Sequence, residues 1–279
     1  MVAFSAHICR NAGLLILFAS SVAGFSQTTA QHVRVELLAR QTAIMPGSDL
    51  QLGVHFVLEP GWHIYWINPG DSGQPPSLKW QLPPGFTVGE IQWPRPERMQ
   101  SSVELADYGY HDDVLLMVPI HAPPFINNEQ LRGLRFAVEA KWLVCSEVCI
   151  PEHANLKLLL HSGAIRENSA TAKLFANAEK LLPIAMPQGW KAEVESRKDN
   201  FLLTIAASKP ITKAIFFPLD PGQVDNATPQ TLQSTTSGAK ITLKKSDLLL
   251  KPIGVLRGVL VILGGPAYRI EAPVRQPIQ

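Results

Sequence analysis

From residue 31 onward, apolar and polar positions alternate along most of the chain. Val33, Val35 and Leu37 are separated by Arg34 and Glu36. Leu50, Leu52, Val54 and Phe56 repeat the pattern after a Pro46-Gly47 turn. A period of two marks a half-buried β-strand. In Pro60-Gly61-Trp62-His63-Ile64-Tyr65-Trp66 one face carries Trp62, Ile64 and Trp66 and the other His63 and Tyr65. The stretch reads as a core strand, with His63 or Tyr65 a candidate for a place near a site. Short strands are expected over 78–80, 86–88, 91–93 and 114–120, and a long one over 134–144, followed by alternating Leu156, Leu158 and Leu160. Between them, Asn68-Pro69-Gly70-Asp71-Ser72-Gly73-Gln74-Pro75-Pro76 reads as a rigid loop. Residues 105–113 read as a polar, aromatic-rich loop suited to a contact surface, a lid or an ordinary turn.

One segment departs from this period. Leu174, Phe175, Ala178, Leu181 and Leu182 follow helical spacing, with Ser169 as the expected cap and Pro183 as the stop. Strand patterns then resume over 192–195, 201–205, 214–218, 241–243, 255–263 and 268–273. The expected class is all-β: a β-domain over 31–162, a helical linker over 163–186 and a second β-sandwich domain over 187–279.

Composition narrows the function. Apolar residues make up 46% and charged ones 17% of 279, so a packed core is expected rather than disorder. A formal charge of +2 without a basic run gives no reason to expect nucleic acid. The glycines of the 68–76 loop are not followed by Gly-Lys-Ser/Thr, so a phosphate cradle is not expected. At the N-terminus, Arg10 precedes the apolar run Ala12-Gly13-Leu14-Leu15-Ile16-Leu17-Phe18-Ala19 and small residues follow, the pattern of a signal peptide over 1–24. The run is shorter than the roughly 20 residues a membrane span needs. The remainder is therefore expected to be exported and soluble, without a stable membrane span after cleavage.

Removal of Cys9 with that segment leaves Cys145 and Cys149, in a compartment that permits disulfides. In a straight strand these residues would lie about 13 Å apart, beyond the roughly 7 Å limit for a disulfide. Strand patterns on both sides suggest a hairpin tipped by Ser146-Glu147-Val148, where opposed Cα atoms lie about 4.5–5.5 Å apart. Three readings stand. A structural staple is one, although so small a loop contributes only about 2 kcal/mol against about 4.7 for a loop of 100 residues. Reversible redox chemistry is the second. The third is a soft metal such as Cu(I) on Cys145, Cys149 and His153. No histidine stands in a recognisable relation to a nucleophile, so a hydrolase is not supported.

Taken together, Tyr65-Trp66-Ile67-Asn68-Pro69-Gly70-Asp71-Ser72-Gly73, Ile91-Gln92-Trp93-Pro94, Tyr108-Gly109-Tyr110 and Trp142-Leu143-Val144-Cys145-Ser146-Glu147-Val148-Cys149-Ile150-Pro151 resemble the N-terminal periplasmic domain of DsbD-type thiol:disulfide interchange proteins. The Cys-x3-Cys spacing resembles the suppressor-of-copper-sensitivity (ScsB-like) branch. The resemblance implies an immunoglobulin-like fold for the two β-domains and a periplasmic location. It also implies a Cys145/Cys149 redox pair, with Cys149 engaging partners, and an aromatic cover from Tyr108 and Tyr110. It implies no cofactor and no resident metal. The implied acceptors are periplasmic thioredoxin-like proteins. Because the sequence reaches Gln279 without membrane helices, the electron donor is expected to be a separate membrane protein.

Overall fold

A computed structural model of the chain describes residues 27–100, 102–127 and 133–276. The expected signal peptide lies outside these. Twelve strands precede the helix. The first six are β1 (Gln27–Ala30), β2 (Val33–Ala39), β3 (Ala43–Ile44), β4 (Asp49–Leu58), β5 (Ile64–Gly70) and β6 (Ser77–Gln81). The next six are β7 (Thr87–Val88), β8 (Glu97–Gln100), β9 (Ala106–Tyr110), β10 (Asp113–His121), β11 (Leu134–Cys145) and β12 (Cys149–Ser162). The helix α1 (Ala172–Leu181) follows. After it come β13 (Ile184–Ala185), β14 (Lys191–Ser196), β15 (Asn200–Ala206), β16 (Ala214–Pro218), β17 (Thr231–Thr235), β18 (Gly238–Lys244), β19 (Val255–Ile262) and β20 (Ala267–Arg275). The all-β class is as the alternation predicts. Among the described residues no helix is long and apolar enough to cross a membrane.

The first region places a five-stranded sheet, β1-β2-β4-β10-β7, against a four-stranded one, β3-β12-β11-β6. Its core is built by the alternation itself: Val35, Leu37, Val54, Phe56, Leu116 and Val118 face Phe136, Val138, Ala140, Trp142, Leu156 and Leu158. Full burial of each of the Val, Leu and Phe side chains contributes roughly 1.5–3 kcal/mol. Leu115 and Met117 of β10 break the alternation by being buried as well. Their face of the sheet is covered by α1, where Phe175 and Ala178 pack on Leu38, Leu115 and Met117. Gly53 makes room for this contact, since a Cβ there would lie 2.6 Å from Leu115 Cδ1 and 3.2 Å from Phe175 Cζ. The helix expected as a linker is thus seated on the outer face of the first sandwich. Its cap is Thr171 rather than Ser169. The Thr171 hydroxyl donates to the Ala39 carbonyl at 2.7 Å, which ties the helix start to β2 instead of closing a cap.

Two further departures matter for the site. Residues 91–93 form only an isolated bridge, Gln92 to Met117, and the strand in that part of the chain is β8. The expected polar loop at 105–113 is largely β9, buried along its whole length between β5 and β8. Gly109 is required there because a Cβ would sit 2.1 Å from the Ile64 carbonyl oxygen. The turn-like composition therefore reflects close backbone approach, not exposure.

The second region is a single eight-stranded sheet, β16-β19-β20-β14-β15-β18-β17 with β13 also on β20. β20 pairs with β19 up to Pro273 and then with β14 at Val274 and Arg275. Both halves share one core, containing Val194, Phe201, Leu203, Ile241, Leu256, Leu260 and Ile270. β19 repeats the logic of β10. Leu256 and Leu260 point into this core, while Val259 and Val261 join Phe217 and Ala267 in the core of the first region. Phe217 meets Tyr108 and Trp66 edge-on, with ring centroids 5.1 and 6.3 Å apart.

Candidate functional site

β11 and β12 form a hairpin of twelve opposed pairs that ends on Cys145 opposite Cys149. The two are disulfide-bonded, with Cα atoms 4.2 Å apart. Ser146, Glu147 and Val148 make the tip, closed by Ser146 N–H donating to the Val148 carbonyl at 3.1 Å. On its other edge Cys145 exchanges two backbone hydrogen bonds with His63, each 2.9 Å. Held between two strands, Cys145 is 1% exposed, whereas Cys149 opens to solvent at the tip. One bond thus joins a buried residue to an exposed one.

The group on the shielded sulfur is Tyr65. Its hydroxyl donates to Cys145 Sγ at 3.0 Å and lies 3.5 Å from Cys149 Sγ. Burial raises the Tyr65 pKa, a hydrogen bond with Ser72 opposes this, and the Asp107 charge adds to the rise. The phenol therefore stays protonated and able to donate at neutral pH. The 70–73 loop keeps the ring in place. Gly73, at φ +76°, lies so close that a Cβ would fall 2.1 Å from Tyr65 Cζ. Ser72 donates from both N–H and Oγ to Asp107 Oδ1 at 2.9 Å. Asp71 accepts from Ala106 N–H at 2.8 Å and donates its own N–H to the Ala106 carbonyl at 3.1 Å.

His63 flanks this group, its ring edge-on to Tyr65 and His111 at centroid distances of 5.2 and 5.8 Å. Its pKa is lowered, first by burial and then by the facing His111, with Asp107 opposing. Its Nε2 has no hydrogen-bond partner among the described residues. Beside the tip lies a cleft of about 700 Å³, lined in part by Trp62, His63, Arg98, His111 and Glu147.

Of the residues singled out from sequence, the structure brings Cys145, Cys149, His63 and Tyr65 together. Tyr108 and Tyr110, expected as the cover, turn into the interior instead. The Tyr108 hydroxyl donates to Asn226 Oδ1 at 2.9 Å and that of Tyr110 to the Pro94 carbonyl at 2.8 Å. Burial drives both phenols upward in pKa, opposed at Tyr108 by Arg98. His153 does not join the cysteines. It stands opposite Lys141, four pairs along the ladder and so about 13 Å from the bond. Among the described residues, no three His, Cys, Asp or Glu side chains are grouped to hold a metal ion. The parity of His63 and Tyr65 signalled Tyr65 from sequence; nothing local signalled Asn226.

Residues 34–161 match the family described as thiol:disulfide interchange protein DsbD, N-terminal. Among solved structures, the N-terminal periplasmic domain of ScsB from Proteus mirabilis is similar in fold, with a TM-score of 0.68 at 18% identity, covering 91% of this chain and 98% of that one. The periplasmic chaperone SfaE aligns at 11% identity over 86% of this chain and 100% of its own, with a TM-score of 0.21. No curated protein sequence matches the chain.

Proposed function

We propose, from the match of residues 34–161 to the DsbD N-terminal family, that this chain relays reducing equivalents between proteins through Cys145 and Cys149. The carrying observation is the asymmetry of the bond, with Cys149 open to solvent and Cys145 buried under the Tyr65 hydroxyl. Thiol–disulfide exchange needs an in-line approach to one sulfur and a stabilised thiolate leaving from the other.

In the reduced chain, the Cys149 thiolate attacks a sulfur of the partner's disulfide, and the partner's other sulfur leaves as a thiolate. The Cys145 thiolate then attacks Cys149 Sγ. The mixed disulfide breaks, the Cys145–Cys149 bond forms, and the partner departs as a dithiol carrying the two electrons. Recharging runs the same path backwards. A donor thiolate attacks Cys149 Sγ, Cys145 leaves as a thiolate, and the Tyr65 O–H is already aimed at the sulfur on which that charge develops. The acceptors are thioredoxin-like proteins of the periplasm, reached after removal of a signal peptide over 1–24, and the donor is a membrane-embedded dithiol protein.

Trapping with single-cysteine variants tests this reading. Cys145→Ala leaves the exposed Cys149 thiol and is expected to accumulate mixed disulfides with periplasmic partners. Cys149→Ala leaves the shielded thiol and is expected to accumulate few. A Cys145–Cys149 bond that resists reduced thioredoxin, with no mixed disulfide from either variant, would make it a structural staple in a binding module and end the relay reading.

A further inference from the structure

The loop that seats Tyr65 is also held from the other region of the chain. Asn226 lies in the segment between β16 and β17 and is 6% exposed. Its Nδ2 donates to Asp71 Oδ1 at 2.7 Å, and its Oδ1 accepts the Tyr108 hydroxyl at 2.9 Å. Its backbone carbonyl accepts from Arg98 Nε and Nη2 at 3.1 and 2.9 Å. A second strut runs parallel to it, since Asn68 Nδ2 donates to the Pro218 carbonyl at 2.8 Å while Asn68 Oδ1 accepts from Gly70 N–H at 3.1 Å.

Asn226 is itself anchored in the second region. Asp225 N–H donates to the Lys244 carbonyl at 2.9 Å, the Asp225 carboxylate accepts from Thr228 N–H at 2.9 Å, and Lys244 Nζ pairs with it at 2.7 Å. The contacts therefore form one unbroken line. It starts at the second sheet, passes through Asn226 to the Asp71 carboxylate, and continues along Ser72 and Gly73 to the Tyr65 ring and the Cys145 sulfur. Asp71 is exposed, so water can take the place of a lost donor there, but water leaves the loop without its fixed contact to the second region.

We propose that the second β-region is a positioning element of the redox site, and that Asn226 is the residue through which it holds the Asp71–Ser72–Gly73 loop on Tyr65. This rests on the relay reading of Cys145 and Cys149. Asn226 touches neither sulfur, so it acts only through the aim of the Tyr65 hydroxyl. The direction of its effect follows from the exposure of Cys149. Because Cys149 is already an exposed residue, loosening the loop adds little access; it removes the donor that stabilises the departing Cys145 thiolate. Loss of Asn226 therefore slows exchange, whereas a general opening of the fold would speed it.

The test is a double-mutant cycle on the full chain, with dithiothreitol as the probe and the reduction rate of the Cys145–Cys149 bond as the readout. Tyr65→Phe is expected to slow reduction about tenfold, as loss of one hydrogen bond to a charged group implies. Asn226→Ala is expected to slow it about threefold, a partial loss through a displaced hydroxyl. In the Tyr65→Phe background the Asn226→Ala effect is expected to vanish. Asn226→Asp keeps the side-chain volume but sets a carboxylate against Asp71, and it serves where Asn226→Ala fails to fold; it is expected to slow reduction at least as much. Wild-type exchange with unchanged or faster reduction in a folded Asn226 variant overturns this inference alone. Equal slowing with and without the Tyr65 hydroxyl does the same. A wild-type bond inert to the probe and to reduced thioredoxin overturns the relay reading, and this inference with it.

Discussion

The two β-regions differ first in what they carry. All three cysteines and all eight histidines of the sequence lie at or before residue 161, and the second region has none. They differ next in how they are closed. The first is a sandwich whose longest hairpin runs to an open tip, while the second is one sheet folded on a shared core. The contacts between them run the opposite way to this inventory. The second region gives the first mainly backbone carbonyls, those of Pro218, Asn226, Ala227 and Gly265, together with one side-chain amide, that of Asn226. A region without reactive side chains can thus bear on a site by supplying fixed dipoles and volume.

The strongest way to break this comparison is to separate the regions. Phe217 belongs by sequence to the second region but is buried in the core of the first, edge-on to Tyr108 and Trp66. Phe217→Ala is expected to cost about 3–5 kcal/mol, the usual range for a buried Phe. The denaturant curve is expected to remain one transition with a lower midpoint. Two separated transitions in the wild-type chain would show the regions to be independent bodies.

That cross-region packing also marks the limit of what the sequence discloses. Alternation located most strands of both regions, and the Cys145/Cys149 spacing between two strand patterns disclosed the hairpin, because these are local signals of period and turn. β10 and β19 read as apolar runs, and only tertiary structure says what covers the second face: α1 for Leu115 and Met117, the first core for Val259 and Val261. The strand β9 was hidden because Asp107 and Gly109 look like turn residues. Their roles, as acceptor for Ser72 and as close neighbour of the Ile64 carbonyl, come from chains paired on either side. Tyr65, Tyr108 and Tyr110 are equivalent by composition. Parity along a strand tells which face a tyrosine takes, but not which neighbour meets that face. Asn226 had no signal at all, being 155 positions from Asp71.

A smaller effect, confined to the site, is expected at Gly73. Its φ of +76° and its contact with the Tyr65 ring both exclude a Cβ. Gly73→Ala is expected to lose about 1–2 kcal/mol for the left-handed backbone, and more for the clash with the ring. Its reduction kinetics distinguish it from Phe217→Ala. Moving the ring displaces the hydroxyl from Cys145, so exchange slows beyond what the stability loss accounts for, whereas Phe217→Ala leaves exchange of the folded protein closer to wild type. Equal exchange rates in the two variants would mean that Tyr65 covers the bond without acting on it.

The smallest effect expected is one of pH, and it belongs to the first region alone. His63 has its pKa lowered from 6.5 by burial and by His111, with Asp107 opposing, so the folded chain resists a proton that the unfolded chain accepts. Above pH 6.5 both states hold His63 neutral and it contributes no pH dependence. As pH falls below 6.5, the unfolded state binds the extra proton first and stability drops, levelling off once pH passes below the folded value. Denaturant midpoints measured between pH 7.5 and pH 5 are therefore expected to fall less steeply in His63→Gln than in wild type. Both curves are expected to be flat near neutrality. Parallel acid limbs would move the source of any acid sensitivity to other carboxylates and histidines. A shallower limb in the variant would locate it at the residue whose backbone pairs with Cys145, placing the pH response of the fold beside the disulfide.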